Sequence, residues 1–221
     1  MIKKLFSYIL PVNVFRKKSE WSKNLEVTWN NGELVLDSEN TNYSYGSLQR
    51  ILRKGLKTIG FDKVKHMEHI LVLGVAGGSV IKTIVNEIGY TKRITGVEID
   101  AEVIAMANTY FKLNEIQNLD IIIDDAFEFV LKTKNKYDLI IIDIFQDTTM
   151  PNFLFESFFT KRVGFLLNDN GILLFNTMLL NSKDNIRNEE YIKGLASLNF
   201  HSTVIPRVEQ HNELIIAYKK P

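Results

Sequence analysis

Between residues 70 and 176, five short runs of Ile, Leu and Val alternate with stretches whose apolar residues fall at helical spacing. No other feature constrains the fold as much. The runs are Ile70–Gly74, Ile94–Glu98, Leu119–Ile123, Leu139–Asp143 and Ile172–Asn176. They are nearly continuous rather than alternating, as strands covered on both faces are. The intervening segments Ser79–Ile88, Ala101–Leu113, Ala126–Thr133 and Phe153–Leu167 have helical periodicity. Strands and helices joined by short connections define a parallel sheet with crossover helices. Towards the end, a polar helix over Asp184–Leu198 precedes Ser202–Val208 and Leu214–Lys219, joined by Glu209-Gln210-His211-Asn212. That loop suits an antiparallel hairpin. The expected fold is a Rossmann-like, doubly wound α/β sheet of five parallel strands plus a C-terminal antiparallel hairpin.

Upstream, Leu25–Trp29 and Glu33–Leu36 flank Asn30-Asn31-Gly32, a strong hairpin signal because both turn positions need positive φ. A helix is expected over Ser47–Ile59, with Arg50, Arg53, Lys54 and Lys57 as its solvated face. Residues 1–60 therefore read as a lead-in, hairpin and helix, and 61–221 as the α/β domain, with the boundary near Gly60–Lys65. The apolar run Leu5–Leu10 ends at Pro11 without a small-residue cleavage site, so a peripheral basic segment is expected there and not a secretory leader.

Composition excludes several chemistries. The chain has no cysteine, so disulfides, thiolate metal sites and thiol nucleophiles are ruled out, and a reducing, cytoplasmic setting is expected. A net charge of +1 argues against broad phosphate neutralisation, hence against a nucleic-acid partner. No stretch approaches the ~20 apolar residues of a membrane span. His66, His69, His201 and His211 have no metal-ligand spacing, and neither a Gly-x-Ser-x-Gly elbow nor a Walker loop occurs.

Four segments carry candidate chemistry. In Gly74-Val75-Ala76-Gly77-Gly78 a strand runs into a glycine loop that opens a helix, where free N–H groups favour an anionic group and the backbone can approach a ligand closely. The same glycines also suit plain helix–strand packing. Glu98 closes the next strand about 20 residues on, where an acid can accept ribose hydroxyls; Ile99 follows it, and Asp100 is the better cap for the helix from Ala101. Asp125 and Ala126 follow the third strand, where a carboxylate can receive an exocyclic amine or cap the next helix. Asp143 ends the fourth strand and points into the cleft, where it can orient or deprotonate an attacking group. Asp147 reads first as the start of the loop before Pro151.

In this order the segments resemble class I S-adenosylmethionine-dependent methyltransferases, and more narrowly the spermidine synthase family. The resemblance is most specific in Val97–Ile104, Asp125–Phe129 and Tyr137–Asp143, and it covers about residues 25–180. It implies that Glu98 binds ribose, Asp125 binds adenine and Asp143 serves the incoming amine. It also places Tyr45, within Asn42–Tyr45, at the family's tyrosine after the leading β-domain, and it implies a homodimer by analogy. Two departures stand out. Polyamine synthases usually carry Gly-Gly-Gly-Asp-Gly-Gly, and Ala76 stands at the acid. They usually carry Asp-Ser-Ser/Thr-Asp-Pro after the fourth strand, and here Gln146 falls at the second acid of Asp143–Asp147.

The cofactor set retained beside a depleted amine site points first to an S-adenosylmethionine-dependent methyltransferase acting on a small molecule. Its cofactor residues would be Gly74, Ala76, Gly77, Gly78, Glu98, Ile99, Asp125, Ala126 and Asp143, and its catalytic residues Asp143, Tyr45 and Asp147. No metal is expected. The alternatives are an aminopropyltransferase using decarboxylated S-adenosylmethionine and a non-catalytic nucleoside-binding module. A dinucleotide oxidoreductase fits less well, because the loop does not match Gly-x-Gly-x-x-Gly.

Overall fold

The computed structural model describes residues 2–21, 24–38, 42–44, 47–145 and 149–220. Two sheets organise them. The larger has seven strands: β5 (His69–Leu73), β6 (Arg93–Glu98), β7 (Leu119–Ile123), β8 (Tyr137–Ile142), β9 (Leu167–Met178), β10 (Phe200–Val208) and β11 (Asn212–Lys219). Their order is β10-β11-β9-β8-β5-β6-β7. The five from β9 to β7 run parallel, and β11 pairs antiparallel with both β9 and β10. This is the expected doubly wound sheet with its closing hairpin. β5 sits where the order reverses, with β6 on one side and β8 on the other.

Helices cover both faces. On one, α2 (Ser47–Ile59), which the short α3 (Phe61–Lys65) links to β5, sets Ile51, Leu52, Leu56 and Ile59 against Ile70, Val72, Leu139, Ile141, Ile172, Leu174, Leu214 and Ile216. On the other, α6 (Ala126–Lys132), α7 (Ser157–Leu166) and α8 (Ser182–Ser197) cover Leu71, Leu73, Ile140, Ile142, Leu173, Phe175 and Ile215. Successive residues of β8 thus feed opposite cores, which explains their unbroken apolar run. The basic face of α2 is exposed as expected. There Arg50 pairs with Glu209 at 2.9 Å, and Arg53 pairs with Glu87.

The smaller sheet, β1 (Val12–Lys17), β2 (Leu25–Asn30), β3 (Glu33–Ser38) and β4 (Asn42–Ser44), is a fully antiparallel meander. Asn31 at φ 48° and Gly32 at φ 79° make the expected β2–β3 turn. β1 was not anticipated in the lead-in, because its charged residues and a register shift between Asn13 and Phe15 blur the alternation. The sheet packs Leu25, Val27 and Leu36 on Val103, Met106 and Phe111 of α5 (Ala101–Phe111), with Ala76 at the edge of this cluster. α1 (Ile2–Phe6) leads in, and the Ser7 carbonyl beyond it accepts the Asn31 N–H at 2.9 Å.

Two helices depart from expectation. The helix after the glycine loop is α over Ser79–Lys82 (α4) and widens to a π turn over Thr83–Glu87. The single helix expected from Phe153 to Leu167 is two pieces, a 3₁₀ turn at Asn152–Phe155 and α7, because Glu156 is extended at φ −73°, ψ 138°. Phe158 consequently faces solvent, while Phe153 and Phe159 meet edge-to-face at 5.0 Å and Phe127 joins them. Among the described residues no helix is long and apolar enough to cross a membrane.

Candidate active site

The parallel registers bring the singled-out residues into one row at the carboxyl ends of the strands. Leu73 pairs with Val97 on β6 and with Ile142 on β8, Glu98 pairs with Ile123 on β7, and Ile142 pairs with Phe175 on β9. Gly74, Glu98, Asp143 and Asn176 therefore emerge side by side, with Asp124 one residue beyond Glu98's partner Ile123 and with Gly74 and Asp143 flanking the point where strand order reverses. Ligands of open α/β sheets bind there.

Gly74 joins the two sides. Its N–H donates to the Val97 carbonyl at 2.9 Å, and the Asp143 N–H donates to the Leu73 carbonyl at 2.9 Å. Gly74 has φ 87°, and a Cβ there would run into the Asp143 carbonyl. Gly78 has φ 79°, and its missing Cβ leaves room for Leu113, which it would meet at 2.5 Å. So two of the loop glycines have the tight-turn and close-packing roles, and Ala76 holds φ 47° without being glycine.

Glu98 closes onto this loop. Oε2 accepts the N–H groups of Val75 at 3.1 Å and Ala76 at 3.0 Å, and Oε1 accepts that of Asp100 at 3.1 Å. Burial pushes its carboxyl above the usual range, opposed by those three bonds and aided by the Asp100 charge. A carboxylate offers about four acceptor positions, so three bonds leave one for a hydroxyl. Asp100 caps α5 as expected: Oδ1 accepts the Glu102 N–H at 3.0 Å, while Oδ2 accepts the Ser19 hydroxyl at 2.5 Å.

Asp125 is the N-cap of α6, accepting Phe127 N–H at 2.7 Å and Glu128 N–H at 3.3 Å. Both bonds fall on Oδ1, so Oδ2 takes no part in capping. Ile99 and Ala126 are half-buried on either side, with Phe127 beyond. Glu98 with Ile99, and Asp125 with Ala126, thus stand at the ends of neighbouring strands, and each acid retains an acceptor position that the local fold does not consume.

Asp143 follows β8 and is half-buried. Asn176 Nδ2 donates to its Oδ1 at 2.9 Å. Burial and the nearby Glu98 charge push its carboxyl up to about 6, against the pull of the Asn176 bond. Among the described residues no Lys or Arg forms an ion pair with Asp143 or Glu98. Tyr45 and Asp147, as well as Gln146, lie outside the described residues. Sequence reasoning singled out neither Asn176 nor Asn212, although it expected the turn Glu209–Glu213 to shape the acceptor pocket. Asn176 does end the fifth apolar run, as Glu98 and Asp143 end theirs, so position alone marked it.

The fold and this row of residues define a class: a doubly wound α/β sheet with a glycine loop after its central strand and acids at the neighbouring strand ends. Structural comparison agrees. The chain superposes with spermidine synthase from Thermotoga maritima at a TM-score of 0.72 and 18% identity, covering 94% of this chain and 73% of that one. It superposes with human methyltransferase-like protein 13 in complex with SAH at 0.67 and 20% identity, covering 80% and 84%. At those identities the likeness is one of fold. The sequence narrows it. Residues 50–220 match the model of the spermine/spermidine synthase domain, and the chain belongs to that family. The polyamine aminopropyltransferase of Methanocaldococcus jannaschii is 34% identical over 110 residues, covering 48% of this chain and 37% of that protein. That of Prochlorococcus marinus subsp. pastoris is 34% identical over 146 residues, covering 62% and 49%. The matches thus span less than half the length of these relatives.

Proposed function

We propose that the chain is a polyamine aminopropyltransferase, moving an aminopropyl group from decarboxylated S-adenosylmethionine to a small amine. The observation that carries this reading is the half-buried pair of acids, Glu98 and Asp143. The Glu98 charge raises Asp143's cost of ionisation and Asp100 raises that of Glu98, and no cation of the described residues forms an ion pair with Glu98 or Asp143. Buried carboxylates are stabilised by a charge partner. A sulfonium donor and an amine acceptor supply positive charge on both sides of the pair. Family membership supports the same reading, whereas the methyltransferase expectation is supported only at the level of the fold.

In this reading Glu98 holds the ribose and Asp125 the adenine, while Ile99 and Ala126 flank the base. The loop Gly74–Gly78 brings backbone close to the donor. Asp143 holds the acceptor nitrogen in line with the donor carbon. As the N–C bond forms, the C–S bond breaks, its electron pair returns to sulfur as a neutral thioether, and the nitrogen sheds a proton to Asp143. Holding the two reactants together supplies most of the acceleration.

One observation favours methyl transfer instead: Ala76 stands where the resembled loop carries an acid. Product analysis separates the readings. Incubation with decarboxylated S-adenosylmethionine and putrescine is expected to yield spermidine and methylthioadenosine in equal amounts by mass spectrometry. Absence of both at saturating substrate sinks the proposal, and demethylated donor formed from S-adenosylmethionine would establish the methyl reading.

A further inference from the structure

Asp143 is backed by a relay of two side-chain amides that the reaction outlined above leaves without a role. Asn176 lies on β9 level with Asp143, is fully buried, and gives its Nδ2 to the carboxylate at 2.9 Å. Its own Oδ1 accepts from Asn212 Nδ2 at 3.0 Å, and Asn212 is nearly as buried. The contact arises from the antiparallel pairing. Asn176 faces Leu214 and Asn212 faces Met178. Asn212 therefore stands two residues along β11, on the same face of the sheet as Leu214 and diagonal to Asn176.

We infer that Asn212 is a positioning residue for Asp143: by donating to the Asn176 carbonyl, it fixes the direction of that amide and keeps an N–H on the carboxylate. A buried primary amide is a donor at one end and an acceptor at the other. Turned one way, Asn176 offers an N–H and favours the ionised acid. Turned the other way it offers an oxygen, which only a protonated acid can satisfy. Asn212 decides between them because its donor group is already on the far side of Asn176. This role rests on the reading of Asp143 as the group that handles the acceptor amine.

Asn212 is itself held by contacts on the opposite face of the sheet. The backbone carbonyl of Glu213 accepts the Thr177 hydroxyl at 2.9 Å. Asn188 on α8 donates to Thr177 Oγ1 at 2.9 Å and to Glu213 Oε1 at 3.0 Å. At the turn before it, the His211 carbonyl accepts the Leu179 N–H at 2.7 Å. The register of β11 is therefore locked on both sides of Asn212. Among the described residues the charged group whose field reaches Asp143 is Glu98, and it acts in the same direction as burial. The Asn176 bond is the one interaction that opposes them, so control of that bond is control of the acid.

The test is a carbon-13 titration of aspartate carboxyls in the whole chain, with Asp143→Asn identifying the resonance. Asn212→Ala is expected to raise the Asp143 midpoint, about 6 in the parent, by about one pH unit, a roughly tenfold change in proton affinity. Asn212→Asp, when ionised, can only accept from Asn176, so in that form it should turn the amide and raise the midpoint further. In both variants kcat near pH 6 should fall while KM for the donor stays within about twofold. Asn212→Gly gives the same reading if the alanine variant folds poorly. Midpoints within about 0.2 unit of the parent in the folded alanine or glycine variant overturn the inference, even if melting temperature drops. The readout is independent of turnover. A shifted midpoint in a protein without transfer activity keeps the relay and removes the functional reading, and an unmoved midpoint in an active one does the reverse.

Discussion

Glu98, on the β5–β6–β7 side of the cleft, accepts three backbone N–H groups contributed by residues within about 25 positions of it, whereas Asp143, on the β8–β9–β11 side, accepts one side-chain N–H relayed from β9 and β11. Both acids are half-buried and both are pushed upward by burial first. The difference lies in what offsets that cost. Backbone donors come with the strand–loop–helix geometry and survive most side-chain changes. A side-chain relay exists only while each member and the strand register are kept. The first arrangement suits a group that must hold a ligand common to a whole fold class, and the second suits one whose proton affinity is set for a particular reaction.

The largest expected effect is at the junction. Gly74→Ala places a methyl against the Asp143 carbonyl at φ 87°, so it should push both halves apart at once. Chemical denaturation should show a loss of about 3 kcal/mol or more, with donor binding abolished. If only one half responds, the two are less tightly joined than the shared backbone bonds imply.

Next comes the donor half alone. Glu98→Ala leaves three N–H groups without their acceptor, each worth about 1.5–3 kcal/mol as a bond to a charged group. Calorimetry is expected to show donor affinity reduced at least ~100-fold. Asp143→Asn should change that affinity by no more than about threefold, while lowering the transfer rate by about 10²–10⁴, the range for a general base. Equal loss of donor binding in both variants would erase the distinction between the halves.

Asp143 also writes a pH signature. Its carboxyl lies at about 6 in the folded chain, above the ordinary 3.8. A group raised on folding contributes stability below its unfolded value and loses it as pH rises through its folded value. The parent should therefore lose stability relative to Asp143→Asn between about pH 4 and pH 6, by up to about 3 kcal/mol at 1.36 kcal/mol per unit. Transfer should rise over the same span as the base sheds its proton. Paired melting curves from pH 4 to pH 8 check the first, and a kcat/KM profile checks the second.

The smallest effect sharpens the donor side. Ala76 holds φ 47°, a left-handed conformation that costs a residue with a Cβ about 1–2 kcal/mol. Ala76→Gly should gain about 0.5–1 kcal/mol after the entropy of a more flexible unfolded chain is subtracted. Donor affinity should hardly move, because the Ala76 N–H to Glu98 bond is retained.

Legibility followed the same division as the chemistry. The loop, Glu98, Asp100 and Asp125 were readable because each lies at a strand end, where the strand–loop–helix pattern fixes its place, and Asp100 and Asp125 cap the helices that follow them. The β2–β3 turn and α2 were readable for the same reason of local period and local chemistry. The 3₁₀ turn at Asn152–Phe155 was hidden because the aromatic spacing 153, 155, 158, 159 mimics one helix until Glu156 turns extended. Asn212 was hidden more deeply. In sequence it is the last residue of a polar turn that was expected near the acceptor pocket, and nothing in that turn marks which residue reaches the site.

Taken by itself, the sequence determined the parallel order of buried strands, the glycine loop at the first of them, and the acids that close the second and fourth. Those follow from periodicity and from steric limits that act over a few residues. Tertiary structure alone decided that β11 enters between β9 and β10, and so that residues 143, 176 and 212 line up through two amides. The reason is that an antiparallel register pairs positions tens of residues apart, and a hydrogen bond of 2.9 Å leaves no trace in the local pattern at either end.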